Sequence, residues 1–218
     1  MYSVGMAAPT TPAPPRRTQA ERRDATRTAL LDAAMDCLVE EGYANTTTRR
    51  IAERAGVTPG ALQHHFASKT ELLSEAVRHI RAKFAQEMFA QGPPDAPSVN
   101  ARSEELLDRM WKFHRGPVFY AYIELLVAAR TDPELRATLA DVQHEVATLN
   151  AAAAPILFPE LAEQPGFAQL IDTGQAAIRG LALLAFVDEA EAERAWPITR
   201  QHIIALNPDF ISNSKPSR

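Results

Sequence analysis

Residues 45–66, NTTTRRIAERAGVTPGALQHHF, hold two short helices and the turn between them. Ile51, Ala52 and Ala55 put apolar and small groups on one face of the first. Gly56 stands where a tight helix-to-helix turn needs a left-handed residue without a Cβ penalty. Thr58-Pro59 is a capping side chain followed by a proline suited to the first helical position, so the second helix begins directly after the turn. Val57 and Leu62 give that helix an inward face, and Ala52 is small enough to let the two axes approach. The expected product is a helix-turn-helix, whose second helix can enter a major groove.

The helix ends around this unit carry unusual charges. Ser68-x-x-Glu71 reads as a capping box that starts the next helix, yet Lys69 sits in its first turn. Arg49 and Arg50 likewise follow the Thr46–Thr48 cap. Bases there oppose the helix macrodipole unless an anion lies nearby. Threonine hydroxyls, free helix N–H groups and bases converging at several helix starts suit phosphate oxygens. Solvated surface bases are the plainer alternative for either helix alone; the turn pattern favours phosphate.

Outward from this unit the chain reads as helix throughout. Leu30, Ala34, Cys37 and Leu38 fall at helical spacing ahead of a stop at Gly42. Helices are expected near 47–55, 58–66 and 69–90, then after QGPPDAPSVN (91–100) near 101–115, 117–131, 133–154, 167–187 and 191–206. No stretch alternates with period two. The fold class is all-α, about nine helices: a Pro-rich disordered tail at 1–18, a three-helix helix-turn-helix domain at 19–68, a second helical domain at 69–210, and a flexible tail at 211–218.

Composition excludes several other classes. Of 218 residues, 46% are hydrophobic and 23% charged, the balance of an ordinary globular protein. No apolar run approaches the ~18 residues of a membrane span. MYSVGMAAPTTPAPP lacks a basic start followed by an apolar core, so no secretory signal is expected and the compartment reads as cytoplasmic, on the nucleoid. One cysteine, Cys37, excludes an intrachain disulfide or a multi-Cys metal site, and its place on an apolar stripe suggests a buried small hydrophobe. Charge is asymmetric: from Arg16 to Lys83 there are 12 Lys+Arg against 9 Asp+Glu, and after Lys83 there are 11 against 18. The first third can approach a polyanion that the remainder would repel. His64 and His65 are adjacent and point about 100° apart on a helix, so they cannot chelate together; no metal and no cofactor is expected. No GxSxG, P-loop, GxGxxG or HExxH motif appears, so no enzyme is expected.

Residues ~23–75 resemble the DNA-binding domain of the TetR family of bacterial repressors. The matching features are a first helix ending in EEGY (40–43), then TTxRxIAERAGV, then GALxxHFxSKxELL, in that order. By position the resemblance implies that Arg49 reads a guanine and that Thr47, Thr48 and Lys69 contact phosphates. It also implies that Thr58, Pro59, Gly60, Gln63 and His64 line the groove side of the recognition helix. The family commonly has tyrosine where this chain has Gln63, which could read adenine instead. His65 and Phe66 match positions that pack inward. Arg16, Arg17, Arg22, Arg23 and Arg27 could form a minor-groove arm or belong to a solvated tail.

The resemblance extends to the second half through size, helical content and YAYIELLVAARTDPEL (120–135). It implies a pocket between helices near the aromatic cluster across Gly116-Pro117, with Trp111, His114, Arg115, Phe119, Tyr122, Glu124 and Arg179 as candidate ligand contacts. Leu170, Ile171, Gly174, Ile178, Leu181, Ala182 and Ala185, with Trp196, Ile203 and Leu206, suit a symmetric four-helix dimer interface, though an internal core would explain the pattern too. Paired recognition helices reach half-sites about 34–36 Å apart. The expected function is a homodimeric repressor that binds a palindromic operator and is released by a small, largely apolar effector. An activator of the same family, or an architectural DNA binder without a ligand, is the alternative.

Overall fold

Thr18 opens the first helix with a reciprocal cap: its hydroxyl accepts from Glu21 N at 3.2 Å while its own N–H donates to Glu21 Oε2 at 2.7 Å. The computed structural model describes residues 18–90, 92–96 and 98–206. The N-terminal stretch with Arg16 and Arg17, and the 211–218 tail, lie outside the described residues. Among those described there are nine helices and no strand. They are α1 (Gln19–Asn45), α2 (Thr48–Arg54), α3 (Pro59–His65), α4 (Lys69–Phe89), α5 (Val99–His114), α6 (Pro117–Ala128), α7 (Pro133–Leu157), α8 (Phe167–Leu184) and α9 (Glu189–Ala205).

Two glycines set the chain's direction at the N-terminal end. Gly42, at φ 73°, breaks the regular winding of α1 near its end. Gly56, at φ 68°, turns α2 into α3. Around Gly56 the chain closes a Schellman pair, Gly56 N to Glu53 O at 3.2 Å and Val57 N to Ala52 O at 3.0 Å. The expected cap on α3 forms: Thr58 Oγ1 accepts from Ala61 N at 3.1 Å. The Ser68 cap on α4 forms too, but the Glu71 carboxylate reaches back to Ala67 N at 2.6 Å. α7 starts as its Asp132-Pro133 signal predicts, Asp132 accepting from Glu134 N and Leu135 N.

Four apolar clusters organise these helices. Leu30, Ala34, Cys37, Ile51, Leu62 and Phe66 join Leu72 and Ala76 of α4 beneath the helix-turn-helix. The opposite flanks of α1 and α4 (Met35, Leu38, Leu73, Val77, Ile80) pack on α6 and α7 through Val118, Leu125, Leu135 and Leu139. α1 and α4 therefore belong to both cores. Polar contacts tie them directly: Arg27 pairs with Glu75 at 2.6 Å, and Asp32 takes a hydrogen bond from His79 at 2.7 Å and pairs with Lys83 at 3.1 Å. Burial pushes the Asp32 carboxyl up, but the hydrogen bonds from His79 and Lys83 outweigh it and hold the group below the usual carboxylate range.

A third cluster joins α5, α6, α8 and α9. Trp111 stacks on Trp196 with ring centres 5.0 Å apart, and Trp196 Nε1 donates to Asp108 at 2.9 Å. This corrects one expectation. Gly174, Ile178, Ala182, Trp196 and Ile203, offered above to a dimer interface, are buried within the chain's own core. From α8 onward the large apolar side chains left outside are Leu183, Leu184, Phe186, Val187, Ile198 and Leu206; Leu126, Val127, Leu149 and Ile156 are exposed elsewhere. A fourth cluster, Ala154, Leu161 and Phe167, closes the far end.

Candidate nucleic-acid interface and ligand cavity

α2 and α3 present the bases and polar groups that the sequence singles out. Thr47 caps α2, its hydroxyl accepting from Arg50 N at 3.3 Å, and Thr48 is half-buried beside it. The Arg49 side chain is 83% exposed and its Nε lies 2.9 Å from Glu53 Oε1, one helical turn on. An exposed pair of this kind is easily exchanged for another anion. Arg50 and Arg54 are held back instead, Arg50 by Glu41 and Arg54 by Glu40. Thr58, Pro59, Gly60, Gln63 and His64 all lie exposed on one side of α3. Gln63 and His64 make no hydrogen bond or ion pair within the described residues.

A Cβ at Gly60 would meet nothing, so the backbone there is open to close approach. Phe66 packs inward as expected and His65 is half-buried. Burial, aided by Arg23, His64 and Arg27, pushes the His65 imidazole below its usual value. Lys69 is partly covered: its ammonium sits 4.4 Å from the Tyr43 ring centre and 3.5 Å from the Tyr43 carbonyl oxygen. Cys37 is fully buried, and burial pushes its thiol up, away from reactivity. Among the described residues no group of three His, Cys, Asp or Glu could hold a metal, and no helix is long and apolar enough to cross a membrane.

Behind this unit lie two neighbouring cavities, a larger and a smaller lobe, that share part of their walls among α4, α5, α7 and α8. The larger lobe, about 180 Å³, is lined by hydrocarbon from Phe84, Met88, Leu107, Leu149, Leu157 and Phe167 among others. The smaller, about 60 Å³, adds α6 and holds His114, Phe119, Tyr122, Gln143 and Arg179. Arg81, Phe84, Met110, Val146 and Gln175 border both. His114 Nδ1 donates to the Met110 carbonyl at 2.7 Å, which leaves Nε2 unprotonated. Burial, with Arg179 nearby, pushes His114 down to about 4 against the pull of that carbonyl, so the ring is neutral near pH 7. Gln143 donates to the Tyr122 hydroxyl oxygen, leaving that hydroxyl its own proton to donate.

Residues 30–76 match the family described as bacterial regulatory proteins, tetR family. Over 130 residues the chain is 36% identical to an uncharacterised HTH-type transcriptional regulator of Mycobacterium tuberculosis; the match covers 58% of this chain and 64% of that protein. It is 35% identical over 123 residues to the HTH-type transcriptional regulator CymR of Pseudomonas putida, covering 56% and 60% respectively. Among solved structures it resembles the multidrug binding protein EbrR, crystallised with imidazole, at 25% identity and TM-score 0.64, over 90% of this chain and 98% of that one. It also resembles a transcriptional regulator of Streptomyces coelicolor A3(2), at 27% identity and TM-score 0.59, over 84% and 98%. The helix-turn-helix segment is of the TetR family.

In the helical region behind the TetR-family segment the ligand candidates divide. His114, Phe119, Tyr122 and Arg179 meet in the smaller lobe. Trp111 does not; it is spent on the stack with Trp196, with the Arg115 guanidinium 5.6 Å from its ring centre. Arg115 pairs with Glu189 and with Glu193 at 3.2 Å. Glu124 points away from the cavity, and its Oε2 accepts from the Tyr43 backbone N–H at 2.7 Å, at the break in α1.

The larger lobe was not foreseen at all. A signal for it exists in α7, where Val146, Leu149, Ala153 and Leu157 recur at spacings of three, four and four. That periodicity marks an apolar face but does not say whether a neighbour fills it.

Proposed function

We propose that this protein is a dimeric, ligand-responsive transcriptional repressor whose α3 reads a palindromic duplex. The observation that carries the reading is the outer side of α3. Gln63 and His64 are polar, exposed and unengaged beside exposed Thr58 and Gly60, while the neighbouring cations Arg50 and Arg54 are tied to their own helix bundle. Arg49 would contact a base edge, and Thr47, Thr48 and Lys69 would contact phosphates. The exposed apolar side chains of α8, α9 and the turn between them, Val187 and Ile198 foremost, supply a surface for a second copy, which would place two α3 helices on successive turns of the duplex. The cavity would take the effector.

The route from cavity to duplex runs through two helices. Tyr122 in the cavity wall and Glu124 at the α1 break are on α6, while α4 carries Phe84 at the cavity and Lys69 against Tyr43. A ligand that favours one placement of α4 and α6 thereby shifts Gly42-Tyr43 and the spacing of the reading heads, to the extent of its differential affinity.

The test is fluorescence anisotropy with duplex DNA from upstream of the protein's own gene. Salt-sensitive binding to a palindrome is expected, weakened about tenfold or more by Arg49→Ala. Lys69→Met should lower the salt slope by about 1. Binding insensitive to salt, or equal on every sequence, overturns the reading; the latter outcome belongs to an architectural DNA binder.

A further inference from the structure

The charged groups around the two lobes are all of one sign. Neither lobe is lined by Asp or Glu, yet two guanidiniums, Arg81 and Arg179, border it. Arg81 Nε lies 3.1 Å from Glu145 Oε2 without hydrogen-bond alignment, so its charge is partly shared. Arg179 is different: it is half-buried and has no ion-pair partner among the described residues. The smaller lobe that it lines also holds His114, Gln143, Gln175 and the proton-bearing Tyr122 hydroxyl. A partly buried, unpaired cation next to a neutral donor is a costly arrangement that an incoming anion relieves. The adjoining lobe is hydrocarbon on nearly every side and matches an apolar body of similar breadth.

We propose that the effector is an amphipathic carboxylate, its carboxylate on Arg179 and Tyr122 in the smaller lobe and its hydrocarbon in the larger. This rests on the ligand-responsive reading for its consequence at DNA, but binding to the protein alone does not require it. A cationic amphiphile would face Arg179 and Arg81 with nothing to offset them and is rejected. A neutral one of the same length gains the hydrocarbon contacts only.

The experiment is calorimetric titration of the full chain with decanoate, decanol and decylammonium, each below its micelle concentration. Decanoate should bind roughly tenfold to a hundredfold tighter than decanol, and decylammonium weakest of the three. From octanoate to decanoate each added methylene should tighten binding about fourfold. Arg179→Met should bring decanoate to the level of decanol and leave decanol unchanged. Decylammonium binding as well as decanoate, affinity independent of chain length, or no loss in Arg179→Met would each overturn the proposal. The three-ligand comparison needs no variant, so it holds even if Arg179→Met fails to fold. DNA affinity is measured in parallel. A chain that binds DNA but not decanoate overturns this inference alone, and one that binds decanoate but no DNA overturns the regulator reading alone.

Discussion

His114 shows what burial does to one residue. Its imidazole lies among Phe113, Phe119 and the cavity wall, donates Nδ1–H to Met110, and is held near pKa 4. The unfolded chain, with an ordinary imidazole near 6.5, takes up a proton as pH falls through that value, and the folded chain does not. Stability attributable to this residue is therefore whole above pH 6.5 and declines as pH falls towards 4. The loss is of order 3 kcal/mol across that window. Urea denaturation at a series of pH values should show this slope, and His114→Phe should flatten it. That His114 belongs to a ligand region was implied by family resemblance alone. No local pattern told it apart from Arg115 next door, which turns outward to Glu189 and Glu193. The difference is one of helical phase: residues adjacent in sequence point about 100° apart.

At the scale of elements, the two left-handed glycines separate two kinds of constraint. At Gly56 an added Cβ meets nothing, so Gly56→Ala should cost only the backbone penalty, about 1 kcal/mol, read as a lowered denaturation midpoint. At Gly42 the Cβ would stand 3.3 Å from Glu124 Oε2 as well, so Gly42→Ala should cost more and disturb the bond to Tyr43 N. Glu124→Ala removes that bond outright. Hydrogen exchange at the Tyr43 amide should then quicken by about tenfold, the equivalent of one charge-assisted hydrogen bond. An unchanged exchange rate would remove Glu124 from the proposed route between cavity and duplex. The Gly56 turn was plain from the chain itself because all its parts lie within six residues. The Glu124 tether was not, because its two ends lie 81 positions apart.

For the whole molecule, the apolar residues that no intrachain neighbour covers make the strongest statement. Val187 is 89% exposed in the turn between α8 and α9, and Ile198 is 57% exposed midway along α9. Burying them against a second copy is the proposed reason for their exposure. Val187→Glu with Ile198→Glu should shift sedimentation from dimer to monomer with helical content unchanged, and palindrome affinity should fall with it. A chain monomeric before mutation would refute the dimer. The helices and their caps, the tight turn at Gly56 and the outward row on α3 were determined by local chemistry: N-cap hydroxyls, prolines at first positions and apolar periodicity act within a few residues. Tertiary structure alone decided which apolar stripe faces inward, which of seven ligand candidates share a cavity, and that a hydrocarbon lobe stands open between α4, α5, α7 and α8. Periodicity marks a face as apolar but is blind to what lies opposite it. Occupancy of that space depends on packing between segments far apart in the chain.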